Sequence, residues 1–269
     1  MHVRLPPNFT YAHRTITRRF VEGKSFPSDE RALLFEAFDL LHQAEIDAEG
    51  EMESFATIYD RLVESRFAND YLRGLLEAQD VEAVAEPLRA QVSRKIMPAL
   101  QGTGLLNPAE PLSFYLLAYC LYWWYAFARG YAFEVKVFQD LEASGIAYQA
   151  HDVLNPRARR LPFDLVVLGF RGDIKTSTYF LHTVRARELP HDFYIAQVYK
   201  PENRERIQVV FLKESAWDAL DGDTTPVAPT ALAAALPGPL RIQWKGTTLI
   251  VLDYSEWKTR VMLVQEVSD

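Results

Sequence analysis

Cysteine is almost missing from this chain: Cys120 is the only one in 269 residues. A single thiol excludes an internal disulfide framework and fits a reducing compartment, so a cytoplasmic location is expected. Positive charge is also short. Lys and Arg number 29 against 36 Asp and Glu, a net charge of −7, so the chain as a whole is no general polyanion binder. Met1 to Thr10 lacks the apolar core of a signal peptide. There is no G-x-G-x-x-G, no G-x-x-x-x-G-K-[ST] and no G-x-S-x-G, which argues against dinucleotide binding, P-loop phosphate binding and elbow-type serine hydrolysis. His2, His13 and His42 show no ligand spacing with one another or with cysteine. No repeat of solenoid or propeller period is visible.

One long uncharged run, Pro111 to Ala128, is dense in aromatic and large apolar residues. It falls near the lower limit of about 17–25 residues for a bilayer span. Its tyrosines are spread throughout instead of girdling the ends, and no positive loop flanks its start, so no membrane association is expected. A central helix buried on nearly all sides explains it better. Cys120 lies inside this run and reads as core, not as a nucleophile.

What is present is an ordinary globular composition, 49% apolar and 24% charged, on a chain long enough for one large or two ordinary domains. Residues 1–110 read as a helical region. Apolar residues recur at helical spacing from Ala32 to Leu41, from Phe55 to Val63 and from Phe67 to Leu76, with Ser28 as a candidate cap. Val81 to Leu100 predicts one or two helices, bent or broken near Pro87 and stopped near Pro98. Acidic residues concentrate between Asp29 and Glu86. Glu45 to Glu53 reads as a loop or solvated helix face that could meet a protein partner.

Residues 111–269 read as an α/β domain with a mixed central sheet. The aromatic helix leads into a second helical stretch, Tyr131 to Ser144, ended by Gly145. Strands are predicted at Ile146–Val153, Asp164–Leu168, Asp173 onward, Phe193–Tyr199 and Ile207–Leu212. Tyr179 to Glu188 gives mixed helix and strand signals. A hairpin about Lys245-Gly246 and a final strand, Arg260–Val267, follow a short helix begun at Glu214.

The chemistry concentrates between Leu161 and Thr178. Asp164 opens a short apolar run rich in β-branched residues. Gly169 and Gly172 supply a turn, and Asp173-Ile174-Lys175 starts the next run. Alternation sends Asp173 and Lys175 to one face and Ile174 to the other. If the two runs pair, both carboxylates converge with an amine beside them, which is equipment for a divalent metal and phosphodiester hydrolysis. Three other D/E-x-K triplets occur, at Glu22, Glu134 and Glu256, but none follows an Asp that opens a strand at hairpin distance.

Asp164, Asp173 and Lys175 resemble the core motif of the PD-(D/E)xK nuclease superfamily, with Pro162-Phe163-Asp164 standing where the family has Pro-Asp. The resemblance covers about residues 130 to 215. It implies a restriction-endonuclease-like α/β core in the order helix, three strands, helix, strand. It also implies Mg2+ or Mn2+ held by Asp164, Asp173 and the Ile174 carbonyl, with Glu134 on the preceding helix as a further ligand. Lys175 would orient and help deprotonate the attacking water. Gln197 and Lys200 are candidate auxiliary groups. Arg157, Arg159, Arg160, Arg185 and Arg187 make the surroundings locally basic and are candidate nucleic-acid contacts. DNA is favoured over RNA because most relatives act on DNA. The alternative is a nuclease-fold protein without activity that serves as an interaction or nucleic-acid-binding module.

Overall fold

The structure, a computed structural model, describes residues 3–24, 30–48, 51–60, 67–102, 112–178, 180–183, 189–200, 204–220 and 223–268. It is mixed α/β, with helices in the first half and a large mixed sheet in the second. Two compact units divide at Arg129–Gly130, inside the aromatic helix and not at its start.

The first unit contains β1 (Val3–Arg4), α1 (Tyr11–Val21), α2 (Glu30–His42), β2 (Glu45–Ala48), β3 (Glu51–Ser54), α3 (Phe55–Tyr59), α4 (Asn69–Leu76), α5 (Val81–Gly102) and the opening half of α6 (Ser113–Ala143). The expected Ser28 cap lies outside the described residues. The acidic stretch after Gln43 is not a helix face or loop. It forms the β2–β3 hairpin of a three-stranded sheet with β1, because Ile46 alternates with acids and is fully buried. α5 runs unbroken through Pro87 and Pro98. Both prolines sit on its exposed side, where water can take the carbonyl each leaves unpaired.

Most of the first half of α6 is buried or half-buried, with Tyr125 exposed. Tyr119 meets Phe55 and Tyr59 edge-on, Trp124 meets Tyr71 in the same way, and Trp124 Nε1 donates to Ser93 Oγ at 3.0 Å. These aromatics are core. Burial pushes the Cys120 thiol up to about 12, which leaves it inert. Among the described residues no helix is long and apolar enough to cross a membrane.

The second unit takes the rest of α6, then β4 (Tyr148–Ala150), β5 (Leu165–Val167), β6 (Phe170–Lys175), α7 (Phe180–Thr183), β7 (Phe193–Lys200), β8 (Glu205–Lys213) and α8 (Glu214–Asp218). β9 (Thr225–Pro226), α9 (Leu232–Ala235), β10 (Leu240–Trp244), β11 (Thr247–Asp253) and α10 (Tyr254–Ser268) complete it. The strands form one sheet in the order β4-β5-β6-β7-β8-β11-β10-β9. β6–β7 and β9–β10 are parallel; the other neighbours are antiparallel. Parallel β6 and β7 need a crossover connection, and α7 lies in it.

One face of the sheet packs Leu165, Ile174, Phe193 and Ile195 against Phe133, Val137 and Leu141 of α6 and Trp257 and Val261 of α10. The other buries Tyr194, Ala196 and Phe211 under Phe180, Leu232 and Leu236. The expected last strand at Arg260–Val267 is instead part of α10. Tyr254, Trp257 and Val261 are buried with Val264 packed beside them, a helical period. The β5–β6 turn is Leu168-Gly169, both at positive φ, which matches a two-residue hairpin of the primed type. Gly172 is not in that turn; it lies inside β6.

Candidate metal centre

Three elements of the second unit end at one place. Past Ala150 the β4–β5 ladder is extended by the His151 N–H, which donates to the Asp164 carbonyl at 3.2 Å. Past Leu165 the β5–β6 ladder breaks down. The Asp164 N–H donates to the Gly172 carbonyl, and the Asp164 carboxylate, not its carbonyl, accepts the Ile174 N–H at 2.7 Å. Asp164 is thereby fixed at the rim of the sheet between β4 and β6. Asp173 lies next to it, within hydrogen-bonding reach of the Asp164 carboxyl. Lys175, two residues along β6 on the same face, donates from Nζ to Asp173 Oδ1 at 2.6 Å.

The helix supplies the next group. Glu134 follows Phe133 on the buried side of α6 and is only 7% exposed. Its Oε1 lies 3.0 Å from His151 Nε2, and His151 Nδ1 lies 3.9 Å from Asp164 Oδ1. The first separation is that of a hydrogen bond, but the direction is not. Among the described residues, Glu134 Oε1 and both His151 nitrogens are buried without a well-directed hydrogen bond. Glu134, His151 and Asp164 each offer a ligand atom, and the three atoms lie within 4.8 Å of one another. Two carboxylates and an imidazole, buried or half-buried and each offering a ligand atom, fit a divalent cation.

Electrostatics tie the group together. Burial, then the neighbouring Glu134 charge and the Asp173 carboxyl, push Asp164 up to about 8, against the pull of the Ile174 N–H. Burial disfavours a charged His151, but Glu134 and then Asp164 outweigh it and raise its pKa above the ordinary imidazole value. A second histidine, His191, stands on the other side, with Nε2 3.7 Å from Asp173 Oδ2. Burial holds its pKa below the usual value despite that carboxylate.

The structure therefore brings Glu134, Asp164, Asp173 and Lys175 into one neighbourhood. Gln197 and Lys200 do not join them. Gln197 pairs with Gln208 of β8 and alternation puts it on the face of Ile195, opposite Asp173. Lys200 Nζ donates to the Leu236 carbonyl at 3.3 Å. Arg157 and Arg160 are exposed on the connection that leads from His151 to Asp164. Arg159, on the same turn, is half-buried and donates to the Val153 carbonyl at 2.8 Å, so it braces the loop. Arg185 and Arg187 lie outside the described residues. Neither histidine is assigned to the centre by sequence reasoning. His151 lies one step beyond the paired residues of β4, and only the β4–β5 register reveals that it faces Asp164.

Comparison of this chain with family models, with curated proteins and with solved structures gives no match.

Proposed function

We propose that this protein is a metal-dependent nuclease of the PD-(D/E)xK kind, hydrolysing phosphodiester bonds, in DNA before RNA. The observation that carries this reading is the meeting of Asp164 and Asp173 from adjacent strands, with Lys175 Nζ 2.6 Å from Asp173 Oδ1. The order α6, β4, β5, β6, α7, β7, with a parallel last pair, supports it, since that is the order the resemblance implies.

Hydrolysis joins a water oxygen to phosphorus and breaks the bond to the leaving ester oxygen, which regains a proton from solvent. A divalent ion, Mg2+ or Mn2+, would supply the positive charge that polarises the phosphate and eases loss of the water proton. The carboxylates of Glu134, Asp164 and Asp173 are the anionic groups available to hold it. The Lys175 side chain is 41% exposed while its amine is tied to Asp173. It can orient the attacking water from the solvent side and stabilise its oxygen as the proton passes to bulk water. Arg157 and Arg160 stand where a polyanion can be held against an acidic total charge.

The test is cleavage of supercoiled plasmid and of single-stranded DNA by wild type, Asp173→Ala and Lys175→Ala, with Mg2+ or Mn2+ and with a chelator. Wild type should cut only with metal, and each variant should lose about a hundredfold or more. If the three proteins behave alike, the nuclease reading fails and a non-catalytic module is left.

A further inference from the structure

We infer that His151 is a direct ligand of the ion at this centre, and that Glu134, His151 and Asp164 together select Mn2+ over Mg2+. This rests on the metal-dependent reading of the same site and goes beyond it, because the D/E-x-K resemblance supplies no imidazole.

The His151 side chain is 3% exposed; its Nε2 lies 3.0 Å from Glu134 Oε1 and its Nδ1 3.9 Å from Asp164 Oδ1, and among the described residues neither nitrogen has a well-directed hydrogen bond. A buried imidazole normally satisfies at least one nitrogen, since water cannot reach it. Glu134 Oε1 is left in the same condition 3.0 Å away. One cation accepting an electron pair from a single imidazole nitrogen, Nε2, and from both carboxylates relieves Nε2 and Glu134 Oε1 together and leaves the Nδ1 side of the ring turned toward Asp164. Donor atoms in neighbouring positions about one ion, each about 2.1 Å from it, stand about 3 Å apart, which is the Glu134 Oε1–His151 Nε2 separation; the ligand atoms of all three residues lie within 4.8 Å of one another.

The donor set then decides the metal. Mg2+ demands oxygen ligands and keeps several waters. An imidazole in a buried site favours a first-row transition ion, and Mn2+ accepts carboxylate and imidazole together. Asp173 competes poorly for the same ion through Oδ1, which already receives the Lys175 ammonium at 2.6 Å. His151 is therefore the third donor and Asp173 the holder of Lys175.

The test uses the full chain in nitrogen-free buffer. MnCl2 and MgCl2 are titrated separately by calorimetry, and the Mn2+ complex is examined by pulsed EPR for nitrogen hyperfine coupling. Mn2+ should bind about tenfold or more tightly than Mg2+, with nitrogen coupling present. His151→Ala should lose the coupling and the preference, while Asp173→Asn keeps the coupling. Failure to bind either ion, equal affinity for the two, or a wild-type Mn2+ spectrum without nitrogen coupling overturns the inference; the wild-type spectrum decides even where His151→Ala does not fold. Nitrogen coupling and Mn2+ preference in a protein that cuts nothing sustain this inference and sink the nuclease reading. Cleavage without nitrogen coupling does the reverse.

Discussion

The ring of Phe193 fills the space beside Gly172: a Cβ built on that glycine would fall 2.1 Å from the ring's Cζ. The two residues are partners in the parallel β6–β7 pairing. Phe193 is 2% exposed and rests on Trp257 at 5.6 Å between ring centroids, so it has little room to yield. Asp173 and Lys175 follow Gly172 in the same strand.

Gly172→Ala is therefore expected to destabilise the protein by about 1–3 kcal/mol through overpacking. It should also lower metal-dependent cleavage, because the displaced strand carries both charged groups. The check is the denaturant midpoint of Gly172→Ala, Phe193→Leu and the double variant. A favourable coupling in the double-mutant cycle is expected, since the smaller side chain at 193 admits the methyl. Simple additivity would refute the steric account.

Much of this arrangement is legible in the residues alone. Asp164 and Asp173 bracket a β-branched run and a turn, and alternation alone sets Lys175 beside Asp173. Glu134 follows from the apolar spacing of Phe133, Val137 and Phe138. What stays hidden is what depends on register. His151 faces Asp164 only because β4 and β5 pair Ala150 with Leu165, and no local pattern fixes that. His191 reaches Asp173 because β7 runs parallel to β6 after a crossover. The hairpin at Glu45–Ser54 and the helix at Tyr254–Ser268 depart from expectation for a related reason. In the first, charge hides an alternation carried by one buried residue, Ile46. In the second, Val261, Val264 and Val267 suggest a strand until Trp257 and Val261 set the helical face.

Asp164 gives the metal-free protein a pH dependence of definite sign. Its carboxyl is raised to about 8 in the fold, against about 3.9 for an unperturbed Asp. Between those values the folded state binds more protons than the unfolded state, so stability falls as pH rises. His151, also raised, adds in the same direction: its share is present below the ordinary imidazole value and is lost as pH climbs through the folded one. His191 is lowered and works the other way, losing stability as pH falls. Comparing wild type with Asp164→Asn isolates the first contribution. The wild type's stability relative to the variant should decline from about pH 5 to about pH 8. Saturating Mn2+ should flatten the decline by favouring the carboxylate. Urea denaturation across the pH series reads both, and a difference that does not vary with pH would refute the burial account of Asp164.

Arg157 and Arg160 provide the last test, because geometry separates them from their neighbour Arg159. Both are exposed. The Asn155 side chain accepts the Arg157 backbone N–H at 3.0 Å, which fixes the turn without engaging the Arg157 guanidinium. Arg159 spends its guanidinium on the Val153 carbonyl. Charge reversal at 157 or 160 should weaken binding of duplex DNA and reduce the slope of log affinity against log salt by about 0.9 for each phosphate no longer neutralised. Metal affinity should be unchanged, since among the described residues the basic side chains paired with the carboxylates of the centre are His151, Lys175 and His191, and neither arginine is one of them. Arg159→Ala should lower thermal stability first, by loosening the loop between His151 and Asp164, and its effect on DNA binding should vanish once folded protein is counted. Fluorescence anisotropy over a salt series, with metal binding measured in parallel, distinguishes the two kinds of arginine. A salt slope that is the same for wild type and both charge reversals would place the polyanion elsewhere on the molecule.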